Sequence, residues 1–331
     1  MFPTITQRLM MLVGLLLVVW PAMWVGEWVA GAAVSLAAGR WSAGVMLLVM
    51  VLGLLPAVVV GAVLSSTGNV LSGVWLVGAA AVAMGVSGGA AGEGGGMDAV
   101  VRASPMAGTM TWLALESGVW GLAVMGLWLC VKASKKRFEH WWWDRSPVDR
   151  SELRLSPGQW RMRRFVTLSP GGLSEGSWVS GRAVAAAVCG AVVASGLIWL
   201  AVRSGRSGQV AAGVMLAFMV GALLGRLAFP GAHALLSLLA PSAVAVFGFW
   251  WSGQLLTGLL EQDVLRRWYV ADWFPLAFGL PVVFIGSGLV GSTMGIGLAQ
   301  AVERGRVRHA PPKTVLVKPD GAEDVSATRS G

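Results

Sequence analysis

The chain has 331 residues, of which 56% are apolar and 12% charged, with a formal net charge of +9. A soluble domain carries about 25% charged residues, so a water-soluble enzyme of this size would lack its charged skin. The mean hydropathy of +0.70 excludes a disordered polymer, and two cysteines exclude a disulfide-stapled module. What remains is an all-α, polytopic transmembrane helical bundle.

A helix needs about 20 apolar residues to cross the hydrocarbon core. In chain order, the first predicted span is Leu9 to Gly26, after an N-terminus whose single charge is Arg8. A cleaved signal is an alternative there, because Ala30-Gly31-Ala32 has small-residue spacing, but the run is long and Trp-heavy for a signal and a retained helix is expected. The second span is Ala43 to Leu64 and the third Val70 to Val86, separated by a polar turn. A Gly-rich loop leads to the fourth, Thr111 to Val131. The fifth is Ala183 to Val202, the sixth Gln209 to Gly225, the seventh Ala234 to Leu256 and the eighth Phe274 to Val302. The count is about eight, within seven to nine. The expected organisation is spans 1–4 in residues 1–131, an interfacial loop at 132–182, spans 5–8 in 183–302 and a disordered tail at 303–331.

Positive charge sets the orientation. Eleven of the 25 Lys and Arg lie between Lys132 and Arg182, and six more follow Val302. Four spans separate these segments and four precede the loop, so loop, tail and both termini are predicted on the cytoplasmic side. The charge therefore reports topology and contact with an anionic inner leaflet rather than nucleic acid. Trp20, Trp24 and Trp28 recur at helical spacing near the outer end of the first span, where indole favours the membrane boundary. Arg outnumbers Lys 20 to 5 and Val, Ala and Gly dominate the apolar set, a bias expected of a GC-rich bacterial source. The predicted location is the bacterial cytoplasmic membrane.

The basic loop is the most distinctive segment. Lys132, Lys135, Lys136 and Arg137 precede Trp141, Trp142 and Trp143; further on, Arg161, Arg163 and Arg164 surround Trp160. Basic residues beside aromatics suit a short helix lying on an anionic leaflet, or a docking surface for a cytoplasmic protein. Small residues recur at four-residue spacing at Ala186, Gly190 and Ala194, at Gly221 and Gly225, and at Gly291 and Gly295. Such faces let helices approach closely within one chain or in a homo-oligomer.

Ionisable groups at membrane depth are functional candidates, since stranding one in lipid costs about 2.5 kcal/mol or more. Glu116 is the clearest, and Arg226, His233 and Gln254 complete a candidate intramembrane polar site. Gly85-Val86-Ser87-Gly88 resembles the nucleophile motif of rhomboid proteases, and Phe229 with His233 resembles one motif of an intramembrane abortive-infection-type protease. The paired glutamates of the second family are missing and the spacing of the first is wrong, so an enzyme is not expected. The three histidines are scattered, no GxxxxGK[ST] loop occurs, and no metal or other cofactor is predicted. Two roles remain. One is a non-enzymatic accessory or scaffold component of a membrane assembly, with lipid and membrane-protein partners or a second copy. The other is a small-molecule or ion transporter that uses Glu116.

Overall fold

The structure, a computed structural model, describes residues 5–30, 56–61, 70–90, 97, 100, 107–143, 180–202, 207–230, 232–260, 262–263 and 279–309. They form α1 (Ile5–Ala30), α2 (Val70–Ala90), α3 (Ala107–Trp143), α4 (Gly181–Ala201), α5 (Ser207–Ala228), α6 (Ala234–Leu256) and α7 (Pro281–His309). No strand occurs among the described residues. Gly108–Cys130, Gly181–Ala201, Gly208–Ala228, Ala234–Leu256 and Pro281–Val302 are long and apolar enough to cross a membrane, and Leu12–Glu27 and Gly73–Ser87 are shorter apolar stretches. Most of the predicted second span lies outside the described residues, apart from a helical stretch at 56–61.

Local chemistry sets several helix ends. The Ser180 hydroxyl accepts from the Ala183 amide at 3.2 Å and opens α4, a serine N-cap. Gly258, just past α6, has φ of 84°, the left-handed conformation in which glycine carries no Cβ penalty at a helix C-terminus. Pro281 opens α7 rather than interrupting it; proline lacks only an amide that the first helical turn leaves unused. Residues 274–278 of the predicted eighth span lie outside the described residues. The apolar stretch of the fourth ends at Cys130, close to the expected Val131, but its helix α3 continues without a break through Lys132 to Trp143.

Glycines bring the helices together. A Cβ on Gly190 would stand 2.9 Å from the Gly221 carbonyl oxygen, and one on Gly225 would run into the Ala186 carbonyl, so α4 lies directly on α5. Gly291 and Gly295 of α7 admit the Met215 and Met219 carbonyls of α5, and a Cβ on Gly78 of α2 would stand 3.0 Å from the Gly286 carbonyl oxygen of α7. Gly288 of α7 abuts Pro241 of α6. Among the described helices α7 is the hub: 83% of its apolar stretch is buried, against 28% for α4 at the edge. α1 packs on α2, and α3 packs on α6.

These contacts also fix helix direction. Gly78 meets Val290 while Gly85 meets Val283, so α2 and α7 are antiparallel; Met215 and Met219 meet Gly291 and Gly295 in the same order, so α5 and α7 are parallel. Gly121 meets Ser242 and Trp128 meets His233, so α3 and α6 are antiparallel. Gly190 meets Gly221 as Ala186 meets Gly225, which makes α4 antiparallel to α5. The C-terminal ends of α1 and α2 lie together through Gly26, Met84 and Ser87. α5 returns as α6 through a short turn. One end of the bundle therefore collects the N-termini of α1, α2, α4 and α6 with the C-termini of α3, α5 and α7. Every Lys and Arg within the described helices lies towards that end: Arg8; Lys132, Lys135, Lys136 and Arg137; Arg182; Arg226; and Arg304, Arg306 and Arg308.

The interior combines an apolar core, with Phe218, Phe249 and Phe284 fully buried, and a set of small hydroxyl side chains, while large apolar side chains also face outward. Ser117, Ser242, Ser252, Ser287, Ser292 and Thr293 are buried, whereas Leu16, Trp20, Leu122, Val192 and Leu200 are exposed. Helices in lipid gain nothing by hiding leucine from an equally apolar surround, so close backbone packing decides what goes inside.

Candidate functional site

The polar residues of the interior stand at two depths. At the basic end of the bundle Arg226, in the last turn of α5, donates from Nη1 to the Ala232 carbonyl at 2.6 Å. His233 accepts the Leu235 amide at Nδ1, 3.2 Å away, and so caps α6; in the neutral ring the proton then sits on Nε2. The His233 ring meets Trp128 of α3 edge-on, with centroids 6.1 Å apart. All three side chains are buried. They tie the α5–α6 turn to α3 through one charged hydrogen bond, one cap and one ring contact.

Glu116 belongs to the other depth. Its side chain is 2% exposed, on a face of α3 that also buries Leu113, Ser117, Trp120, Val124 and Trp128. Twelve residues separate it from Trp128 along a continuous helix, about 18 Å at 1.5 Å per residue. Glu116 and the Arg226–His233 cluster therefore do not meet. Gln254 is exposed near the far end of α6, opposite the Arg226–His233 end. The four residues expected to form one intramembrane polar site divide into a pair, Arg226 with His233, and two separate positions. Hydropathy gives depth along a span, but helix rotation and pairing decide which polar groups converge.

Ser87 likewise stands apart from His233. Its hydroxyl donates to the Met23 carbonyl at 3.1 Å and the Met84 carbonyl at 3.2 Å, which joins the ends of α1 and α2 opposite the basic end. A serine nucleophile needs its base within hydrogen-bond reach, and Ser87 and His233 lie at opposite ends of the bundle.

The three predicted small-residue faces are all used inside the chain. Ala186, Gly190 and Ala194 face Gly221 and Gly225, and Gly291 and Gly295 face α5. These faces are therefore occupied by neighbouring helices rather than left open for a second copy. The backbone of Lys132, Lys135, Lys136, Arg137, Trp141, Trp142 and Trp143 belongs to α3, so this stretch extends a spanning helix instead of beginning a separate one. Trp160, Arg161, Arg163 and Arg164 lie outside the described residues. Cys130 is an exposed free thiol and Cys189 a half-buried one. No group of three metal-ligating side chains occurs among the described residues.

Two features had no sequence signal beyond composition. Phe247, Trp250 and Trp251 form an exposed aromatic cluster on α6, with the Phe247 and Trp251 rings nearly parallel and 6.0 Å apart. The buried hydroxyls of Ser242, Ser287 and Ser292 have no hydrogen-bond partner among the described residues. Compared with known proteins, the sequence matches no protein family, no curated protein and no solved structure.

Proposed function

We propose that the chain is a non-enzymatic scaffold or accessory component of an assembly in a bacterial cytoplasmic membrane. It crosses the bilayer about eight times, with both termini and the basic segments on the cytoplasmic side. One observation carries the reading. Glu116, Gln254 and the Arg226–His233 pair occupy separate places in a bundle whose helices close on one another through glycine, while large aromatic and aliphatic side chains face outward. A transporter concentrates polar groups and broken helices near mid-depth. Here α6 passes through Pro241 without a break and α7 begins at Pro281. The outward Trp, Phe and Leu side chains offer surface to lipid or to partner helices. Purification in mild detergent followed by native mass spectrometry tests this: stoichiometric protein partners are expected, and a lone protomer or homodimer overturns it.

A second reading, a cation-coupled transporter, is favoured by the burial of Glu116 at membrane depth. It requires Glu116→Gln to abolish uptake by reconstituted vesicles while the assembly stays intact. Unchanged uptake removes Glu116 from any such path.

A further inference from the structure

We propose that the cytoplasmic extensions of α3 and α7 together form a binding collar for anionic phospholipid headgroups. This deepens the membrane reading above and rests on its orientation. α3 spans 37 residues, about 55 Å of helix, whereas the hydrocarbon core is about 30 Å thick. Its apolar stretch ends at Cys130, and the helix continues to Trp143. α7 behaves in the same way: its apolar stretch ends at Val302 and its helix runs to His309. Since α3 is antiparallel to α6, α6 to α5, and α5 parallel to α7, both extensions leave the bundle at one end.

Each extension carries its cations in the first turns after the apolar stretch. Lys132, Lys135, Lys136 and Arg137 rise about 8 Å along α3, and Arg304, Arg306 and Arg308 occupy a similar height on α7. The headgroup layer is about 5–8 Å thick on each side, so these positions coincide with lipid phosphates. Orientation alone asks for positive charge on this side but not for two helices that hold it at one level. On α3 the helix dipole does not account for the charge either: it acts within the last turn, and the α3 cations stop at Arg137, before the final turn of a helix that ends at Trp143. On α7, which ends at His309, Arg306 and Arg308 do lie in the last turn. Trp141 to Trp143 fall about 15–18 Å beyond Val131 along the axis, past the headgroups.

The test titrates the full chain, in uncharged detergent, with phosphatidylglycerol or phosphatidylcholine and counts bound lipid by native mass spectrometry. Phosphatidylglycerol is expected to be retained in preference, and high salt is expected to remove the preference. Arg304→Gln/Arg306→Gln/Arg308→Gln, and separately the four corresponding glutamine substitutions on α3, should each weaken retention by about fivefold per charge removed, with the lipid-free Tm unchanged. Equal retention of phosphatidylcholine, full retention by either variant, or displacement by millimolar inorganic phosphate overturns the proposal. Should a variant melt early, salt titration of the unaltered chain decides, and a salt-insensitive preference also overturns it. Protein partners are counted in the same spectra before lipid is added, so failure of the collar is distinguishable from failure of the assembly reading.

Discussion

At the scale of single residues, a buried apolar core that includes Phe218, Phe249 and Phe284 is joined by two more specific kinds of contact: glycine against backbone, and a few buried polar side chains that satisfy helix ends. Gly190→Val would drive a branched side chain into the Gly221 carbonyl, already 2.9 Å from a mere Cβ. Overpacking of this kind costs about 1–3 kcal/mol and should appear as a lower Tm in detergent. Gly118→Ala is the control, because a Cβ there meets nothing within 4 Å; it should leave Tm unchanged or raise it, as alanine is the better helix former. His233→Ala removes the acceptor that caps α6, at a cost of about 1 kcal/mol, and His233→Asn should recover most of the loss. A Tm that does not distinguish Ala from Asn would sink the capping role. The glycine faces on α4, α5 and α7 were legible in the sequence as small residues at four-residue spacing. That they face one another was not, because spacing defines a stripe and says nothing of its partner.

At the scale of elements, the relative directions of the helices follow from which residues meet, with no reference to charge. The same directions gather every Lys and Arg of the described helices at one end, which is the asymmetry that membrane insertion imposes. The expected orientation can be read directly by labelling. In a background without Cys130 and Cys189, Asp263→Cys, an exposed position past α6, should react with an impermeant maleimide added to intact cells. Arg304→Cys, at the basic end, should react only in inverted vesicles. The reverse pattern would turn the protein over. Five of the expected spans were legible as apolar runs that coincide with helices long enough to cross a membrane, and most described helices begin near the predicted points. The predicted end of the fourth span at Val131 agrees with an apolar stretch that ends at Cys130; what the sequence reading did not give is that the helix itself runs on to Trp143, since lysine and arginine are good helix formers. The predicted eighth span also takes in residues 274–278, which lie outside the described residues; α7 begins at Pro281, the natural first position of a helix.

At the scale of the whole molecule, the scaffold role proposed above makes the apolar exterior the expected place of action. Partner copurification should therefore be insensitive to Glu116→Gln and should fall when the outward aromatic cluster is cut down. Phe247→Ala/Trp250→Ala/Trp251→Ala removes three rings that are about half exposed and pack on one another. Pull-down of partners that is undiminished by this triple change would clear the cluster of a role. The sequence by itself determined the solvent: with 12% charged residues and long apolar runs, only a lipid surround avoids stranding this much apolar surface in water. It also determined which segments are basic, since insertion acts on local charge before the fold exists. Only the tertiary structure decided which helices touch and which polar groups converge. Those outcomes depend on helix rotation and pairing, set by close contacts between residues far apart in the chain. The tertiary structure accordingly set Trp128 against His233, left Glu116 about 18 Å of helix away from Trp128, and carried the cations of α3 and α7 to one common end.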